Sequence, residues 1–228
     1  MRKHKSCSIA IIVVVLLLAS LVTACASSAP SSAPPTEMPS TTESPQQGQP
    51  AEEGAAEEPT PPAAKLALFV IYNQFHETEY GEPRAVLEDA GVIVTVASSS
   101  LDAVTGHSGM QVEPDVVLGD VYAADYDAIV FVGGYGYDQD GPEACRVAQE
   151  AAAEGKVLAA ICIAPITLAK AGVLDGKRAT SSVLRSELEA EGAIWTGATV
   201  ERDGLIITAN GPAAARRFGE TIVAALEE

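Results

Sequence analysis

The chain has 228 residues and sets 31 acidic against 14 basic side chains, a formal net charge of −17. So acidic a chain repels polyanions, which excludes nucleic acid and anionic surfaces as electrostatic partners. It carries no cluster of metal ligands and no phosphate-binding glycine loop, so no metal or other cofactor is expected.

Arg2, Lys3 and Lys5 make a basic start, Ile9 to Leu18 is apolar, and Val22-Thr23-Ala24 are small. That is the layout of a signal peptide, and the apolar run is short for a permanent membrane span. The next residue is Cys25, and Val22-Thr23-Ala24-Cys25 resembles the bacterial lipobox. The resemblance implies a signal peptide over residues 1–24, cleavage before Cys25 and diacylglycerol on its sulfur. The expected protein is extracytoplasmic and held to a bacterial membrane through that lipid. Ala26, where inner-membrane lipoproteins carry Asp, implies the outer membrane if two membranes are present. Residues 26–64 then hold nine prolines, six serines, six glutamates and no Lys or Arg. With no hydrophobic period, such a segment buries too little surface to offset its ordering entropy, so residues 25–64 are expected to be a lipidated cysteine and an extended tether.

Residues 65–228 carry 11 basic and 25 acidic side chains and suffice for one domain with its own core. Leu66 to Tyr72 reads as a strand, Glu77 to Ala90 as a helix closed by Gly91, and Val92 to Ala97 as a second strand. Gly106 and Gly109 mark a hairpin, and Asp115 to Gly119 suggests a further strand. Ala128 to Val132 reads as a buried strand followed by Gly133-Gly134 and a helix from Gly141 to Glu154. After Gly155, Val157 to Ile161 is continuously small or apolar, as in a fully buried parallel strand. Ile166, Leu168, Ala169 and Ala171 continue at helical spacing, with Pro165 in the first turn and Gly172 as the stop. A short strand over Arg178 to Ser181, a helix through Ser186 to Glu191, a hairpin (Ala198 to Arg202, Leu205 to Ala209) turning at Asp203-Gly204, and a helix from Ala213 to Leu226 complete the chain. Such alternation predicts an α/β fold, doubly wound, with a mainly parallel sheet, helices on both faces, and sites at the carboxyl ends of the strands.

Cys162 falls where the buried strand turns into the next helix, the arrangement of a nucleophile elbow. The positive end of that helix is expected to hold the thiol below its ordinary pKa. The alternative is a structural cysteine. The strand-end rule places the loop from Tyr72 to Glu79 and the pair Gly133-Gly134 beside it. Adjacent glycines suit either backbone donors to an oxyanion or a tight turn. Glu79 is either a solvated charge or, if turned into the cleft, a carboxyl whose pKa is raised by burial and which donates a hydrogen bond to a thiolate. Loss of the signal peptide removes Cys7, and nothing in the spacing of Cys145 and Cys162 demands a disulfide.

Ala160-Ile161-Cys162-Ile163-Ala164-Pro165, preceded by Phe131-Val132-Gly133-Gly134 and followed by Gly172-Val173-Leu174-Asp175-Gly176-Lys177-Arg178-Ala179-Thr180, resembles the ThiJ/PfpI (DJ-one) superfamily. The segment Asp203 to Pro212 resembles the late hairpin of the DJ-one branch. The resemblance spans Leu66 to about Leu226. It implies a flavodoxin-like fold, a reactive Cys162, a partner carboxyl at Glu79, backbone donors at Gly134 and Ile163, and a homodimer or larger homo-oligomer. It also implies activity on small reactive carbonyls of the glyoxalase or deglycase type, or else a redox-sensing or chaperone-like role in envelope stress. Peptidase members carry His directly after the nucleophile, where this chain has Ile163. In DJ-one-like members a His approaches from the segment that here reads Thr180-Ser181-Ser182. His76, three residues before Glu79, either substitutes for that imidazole or is a loop histidine.

The anchor is directly testable. The full chain expressed in a bacterial host should partition with the membrane fraction, and Cys25→Ala should release it or block its processing. A fully soluble protein with an unmodified amino terminus would exclude a lipid anchor.

Overall fold

A computed structural model describes residues 64–136 and 141–228. The signal peptide, Cys25 and the tether expected from the sequence lie outside the described residues, Ala64 excepted. The elements run β1 (Leu66–Val70), α1 (Glu77–Asp89), β2 (Ile93–Ser98), β3 (Val104–Thr105), β4 (Gln111–Val112), β5 (Val116–Val117) and β6 (Ala128–Phe131). They continue with α2 (Pro142–Ala153), β7 (Val157–Ile161), α3 (Pro165–Lys170), β8 (Arg178–Ala179) and α4 (Arg185–Ala190). The last are β9 (Ile194–Trp195), β10 (Val200–Asp203), β11 (Ile206–Ala209) and α5 (Ala215–Leu226). Among the described residues, no helix is long and apolar enough to cross a membrane.

Seven strands form one sheet in the order β10-β11-β7-β6-β1-β2-β5. Every neighbouring pair is parallel except β10 with β11, the hairpin turned by Asp203-Gly204. Successive side chains of a strand point to opposite faces, and the cores divide accordingly. Leu68, Val70, Ile129, Phe131, Leu158 and Ala160 pack with α2, α3 and α4. Ala67, Phe69, Ile71, Val130, Ala159 and Ile161 pack with α1 and α5. Both faces of the central strands are therefore buried, which is why these strands read as continuous apolar runs. Chain order reverses beside β1, with β2 on one side and β6 on the other, so the crevice at the carboxyl ends of β1 and β6 is the natural ligand position.

The expected elements are present, with changes at their ends. The strand expected over Asp115 to Gly119 keeps only Val116–Val117 as ladder, and Leu118–Asp120 turns into a 3-10 helix that buries Leu118. The last helix starts as a 3-10 turn at Pro212–Ala214 before α5. The strand expected from Arg178 to Ser181 stops at Ala179 and belongs to a separate two-stranded sheet with β9, which the sequence reading lacks. A two-residue strand such as β9 carries no readable period, and its pairing with β8 is a tertiary fact.

Helix α1 is fixed from two sides. The Tyr80 ring meets Phe75 edge-on with centroids 5.4 Å apart and Phe69 at 6.1 Å, tying the first turn to β1 and its loop. Further along, α1 lies on α5 at Gly219, where an added Cβ would sit 2.8 Å from the Pro83 Cα. Pro83 also has no N–H for the Glu79 carbonyl one turn back, so the helix relies on this packing at its proline. Gly219→Ala should therefore destabilise the protein by about 1–3 kcal/mol in urea unfolding. Gly81→Ala, on the open side of α1 with nothing within 4 Å, should leave stability unchanged or raised by about 0.5–1 kcal/mol. Equal stability of the two variants would contradict close contact between α1 and α5.

Candidate active site

Strand β7 ends at Ile161, and the next residue turns sharply: Cys162 has φ of 65°, a left-handed conformation that costs energy for a residue with a side chain. Backbone bonds hold it there. The Cys162 N–H donates to the Ala209 carbonyl at 2.9 Å, and the Ser182 N–H donates to the Cys162 carbonyl at 2.9 Å. The thiol is free and half-buried, which rules out a disulfide to Cys145. Cys145 itself is buried in α2 on the other face of the sheet.

The loop after β1 and the loop after β6 are zipped together. His76 N–H donates to the Gly133 carbonyl at 3.0 Å, and Tyr135 N–H donates to the Gln74 carbonyl at 3.0 Å. Phe75 and Gly134 are thus a facing pair in a one-residue bridge, and the bridge does not use the Gly134 N–H. A side chain at Gly134 would put Cβ 2.4 Å from the Gln74 carbonyl oxygen, so the close approach requires glycine. Gly133 is the more telling position. A Cβ there would stand 2.6 Å from Glu79 Oε2 and 2.7 Å from Cys162 Cβ. The Glu79 carboxyl and the Cys162 side chain flank the space that this glycine leaves empty.

Glu79 is completely buried, and neither carboxyl oxygen completes a hydrogen bond. Burial raises its pKa to about 7, against smaller lowering effects from the Cys162 thiol and the Gly133 N–H. These two groups act on the carboxyl at close range without reaching hydrogen-bond geometry. The solvated alternative for Glu79 is thereby excluded.

The thiol behaves contrary to the expectation from the sequence. Its pKa is pushed up to about 11, first by burial and then by the charge of the Glu79 carboxylate, while Ser182 and the Ile163 N–H pull it down. Two reasons explain the reversal. Helix α3 has only six residues and begins three positions later, so its dipole is weak at the sulfur. Glu79 and Cys162 also oppose each other's negative charge, and the pair holds one proton over the neutral and mildly alkaline range.

The remaining expected site residues divide. The Ile163 N–H acts on the sulfur, as the elbow implies, whereas the Gly133 N–H acts on Glu79. His76 caps α1 through its backbone, and its Nδ1 is buried without a partner. Its ring lies 6.4 Å from that of His107, which in turn lies 4.8 Å from Tyr135. The group hydrogen-bonded to the thiol is instead the Ser182 hydroxyl, with Sγ to Oγ of 3.5 Å. Sequence reasoning pointed to the segment of Ser182 but not to this contact, because the signal was only its place after the strand that follows the elbow. Gln74, also at φ of 65°, and Ala209 lie in segments that the sequence singled out, but nothing in the sequence marked either residue itself. Among the described residues no cluster suited to a metal ion is found.

A half-buried thiol on a strained elbow, beside a buried protonatable carboxyl at a switch point of a doubly wound sheet, defines a cysteine-centred α/β domain. The chain belongs to the DJ-1/PfpI family, which residues 65–225 match. It is 31% identical to Deglycase PfpI of Pyrococcus furiosus over 148 residues, covering 64% of this chain and 89% of that protein. The crystal structure of a ThiJ/PfpI domain protein from Brachyspira murdochii superimposes with a TM-score of 0.70 at 27% identity, covering 72% of this chain and 98% of that one. Drosophila melanogaster DJ-1beta superimposes with a TM-score of 0.67 at 32% identity, covering 72% and 91%. The flavodoxin-like fold is that of the family.

Glu79 makes a signed prediction about stability. Its folded pKa of about 7 lies above the ordinary value of 4.5, so between these the folded state binds the extra proton. Stability is therefore lost as pH rises through that window. Glu79→Gln removes this dependence, so its stability relative to wild type should grow from about pH 5 to about pH 8, by roughly 2–3 kcal/mol. Urea unfolding at both pH values measures it, and parallel pH dependence in the two proteins would mean that the carboxyl is not the buried acid described.

Proposed function

We propose that the domain is a cofactor-free enzyme acting on small reactive carbonyl compounds, of the glyoxalase or deglycase type, with Cys162 as nucleophile and Glu79 as its proton partner. The observation that carries this reading is the meeting of a buried carboxyl and an elbow thiol around the space left by Gly133. In the state where Glu79 is protonated and Cys162 is a thiolate, the thiolate adds to an aldehyde carbon. A C–S bond forms, the C=O π pair moves to oxygen, and the Glu79 proton passes to that oxygen, giving a hemithioacetal and a carboxylate. The Ile163 N–H, and the Gly134 N–H that the bridge leaves unused, are the donors suited to the developing oxyanion. The name of the Pyrococcus relative, a deglycase, supports the same substrate class.

Peptide hydrolysis fits the site less well. It needs an acid for the amine leaving group, and here Ile163 follows the nucleophile while the thiol's hydrogen-bond partner is a serine hydroxyl. His76 remains a candidate only for a group that approaches substrate from the rim it shares with His107 and Tyr135. A second reading, oxidant sensing through sulfenic or sulfinic acid at Cys162 in an envelope stress protein, is favoured by the free, partly exposed thiol. In either reading the domain is carried outside the cytoplasm on a lipidated Cys25, as the lipobox-like run suggests, and works as a homodimer or larger assembly.

Incubation of the full chain with methylglyoxal separates these readings. The wild type should consume it, and Cys162→Ser should lose at least about a hundredfold, the loss expected on removing a nucleophile. Equal rates for the two proteins, or no turnover by either together with peroxide oxidation confined to Cys162, would reject the enzyme in favour of the sensor.

A further inference from the structure

Ser182 occupies a built position. Its N–H is bonded to the Cys162 carbonyl at 2.9 Å, so its backbone cannot drift from the elbow. Two residues earlier, the Thr180 N–H donates to Thr208 Oγ1 at 2.9 Å, and the next residue after Thr208 is Ala209, whose carbonyl holds the Cys162 N–H. The same short stretch of β11 thus positions both the elbow and the segment that faces it. The neighbouring hydroxyl is already committed: Ser181 Oγ accepts from the Leu184 N–H at 3.2 Å and closes the turn into α4. The Ser182 hydroxyl is the one directed at sulfur, at 3.5 Å, and Ser182 is also exposed to water.

From this geometry we infer that Ser182 is a catalytic residue of the Cys162 site, relaying the thiol proton to solvent and then donating its hydroxyl to the thiolate. A serine hydroxyl is donor and acceptor at once, so one group serves both steps by rotating about its C–O bond. In the first step the S–H proton passes to Ser182 Oγ while the hydroxyl's own proton passes to water. The hydroxyl is regenerated, and the net change is thiol to thiolate plus a hydrated proton. In the second step the O–H turns to the sulfur and stabilises its charge until the thiolate attacks. The thiol accordingly has two proton partners of opposite character. Glu79 is buried and holds a proton for the substrate oxygen; Ser182 is wet and connects the sulfur to bulk water. Ser182 adds no titrating group of its own near neutrality, unlike an imidazole in the same place.

The inference rests on Cys162 being the reactive nucleophile, but its test does not require carbonyl turnover. The full chain, as wild type, Ser182→Thr, Ser182→Val and Ser182→Ala, is alkylated with iodoacetamide over a pH series, and modification of Cys162 is followed by peptide-resolved mass spectrometry. Thr and Val have nearly the same shape and differ in the hydroxyl, so packing is held constant. Ser182→Thr should keep the wild-type profile. Ser182→Val and Ser182→Ala should react about tenfold more slowly below the midpoint and shift it up by about one pH unit, the usual effect of losing one hydrogen bond to a charged group. Superimposable profiles for all four proteins would overturn the relay. Methylglyoxal turnover measured in parallel keeps the two readings apart. If no protein turns over but alkylation separates Thr from Val, the carbonyl enzyme fails and the Ser182 role stands. If wild type turns over and alkylation is unchanged by Val, the enzyme stands and the relay fails.

Discussion

The absence of a side chain at Gly133 is the constraint on which the site depends. The Glu79 carboxyl and the Cys162 side chain come from different elements, a helix start and a strand end, and meet where the Gly133 Cβ would be. The rest of the local structure maintains that meeting. The Gly133 carbonyl accepts the His76 N–H, and this anchors the residue that begins α1 and so sets where Glu79 falls one turn later. Tyr80, wedged between Phe69 and Phe75, keeps the helix from rotating. Gly219 lets α5 press on the far side of α1. Burial of apolar surface on that face supplies the free energy that keeps a carboxyl away from water without a completed hydrogen bond.

The chemistry follows from how these groups share protons. An elbow cysteine is usually thought of as activated by the helix that follows it. Here that helix is a single short one, and desolvation together with the neighbouring carboxylate outweighs it. Burial holds the thiol back first, and an ionised Glu79 adds to that effect, an addition that is lost when Glu79 carries a proton. Reactivity is thus a property of the pair and not of the cysteine alone. Such a site keeps the sulfur mostly protonated near neutrality.

Much of this was legible in the residues. The continuous apolar runs of β1, β6 and β7 announced strands buried on both faces, and the turn into Pro165 placed Cys162 at an elbow. The pair Gly133-Gly134 marked a close approach without saying to what. What escaped was non-local: β9 pairs with β8 over two residues only, and the Ser182 hydroxyl reaches the thiol from twenty positions away.

The sequence by itself determined most of the order of elements and the place of Cys162 at an elbow, because hydrophobic period, turn residues and the elbow pattern are local properties of the chain, and its motifs carried the resemblance to the family. The tertiary structure alone decided the electrostatics: that Glu79 is fully buried, that burial and then the Glu79 charge raise the thiol instead of a helix lowering it, and that a serine rather than a histidine touches the sulfur. Charge interactions and desolvation depend on distances between elements far apart in the chain, and these exist only once the sheet has set its strands side by side.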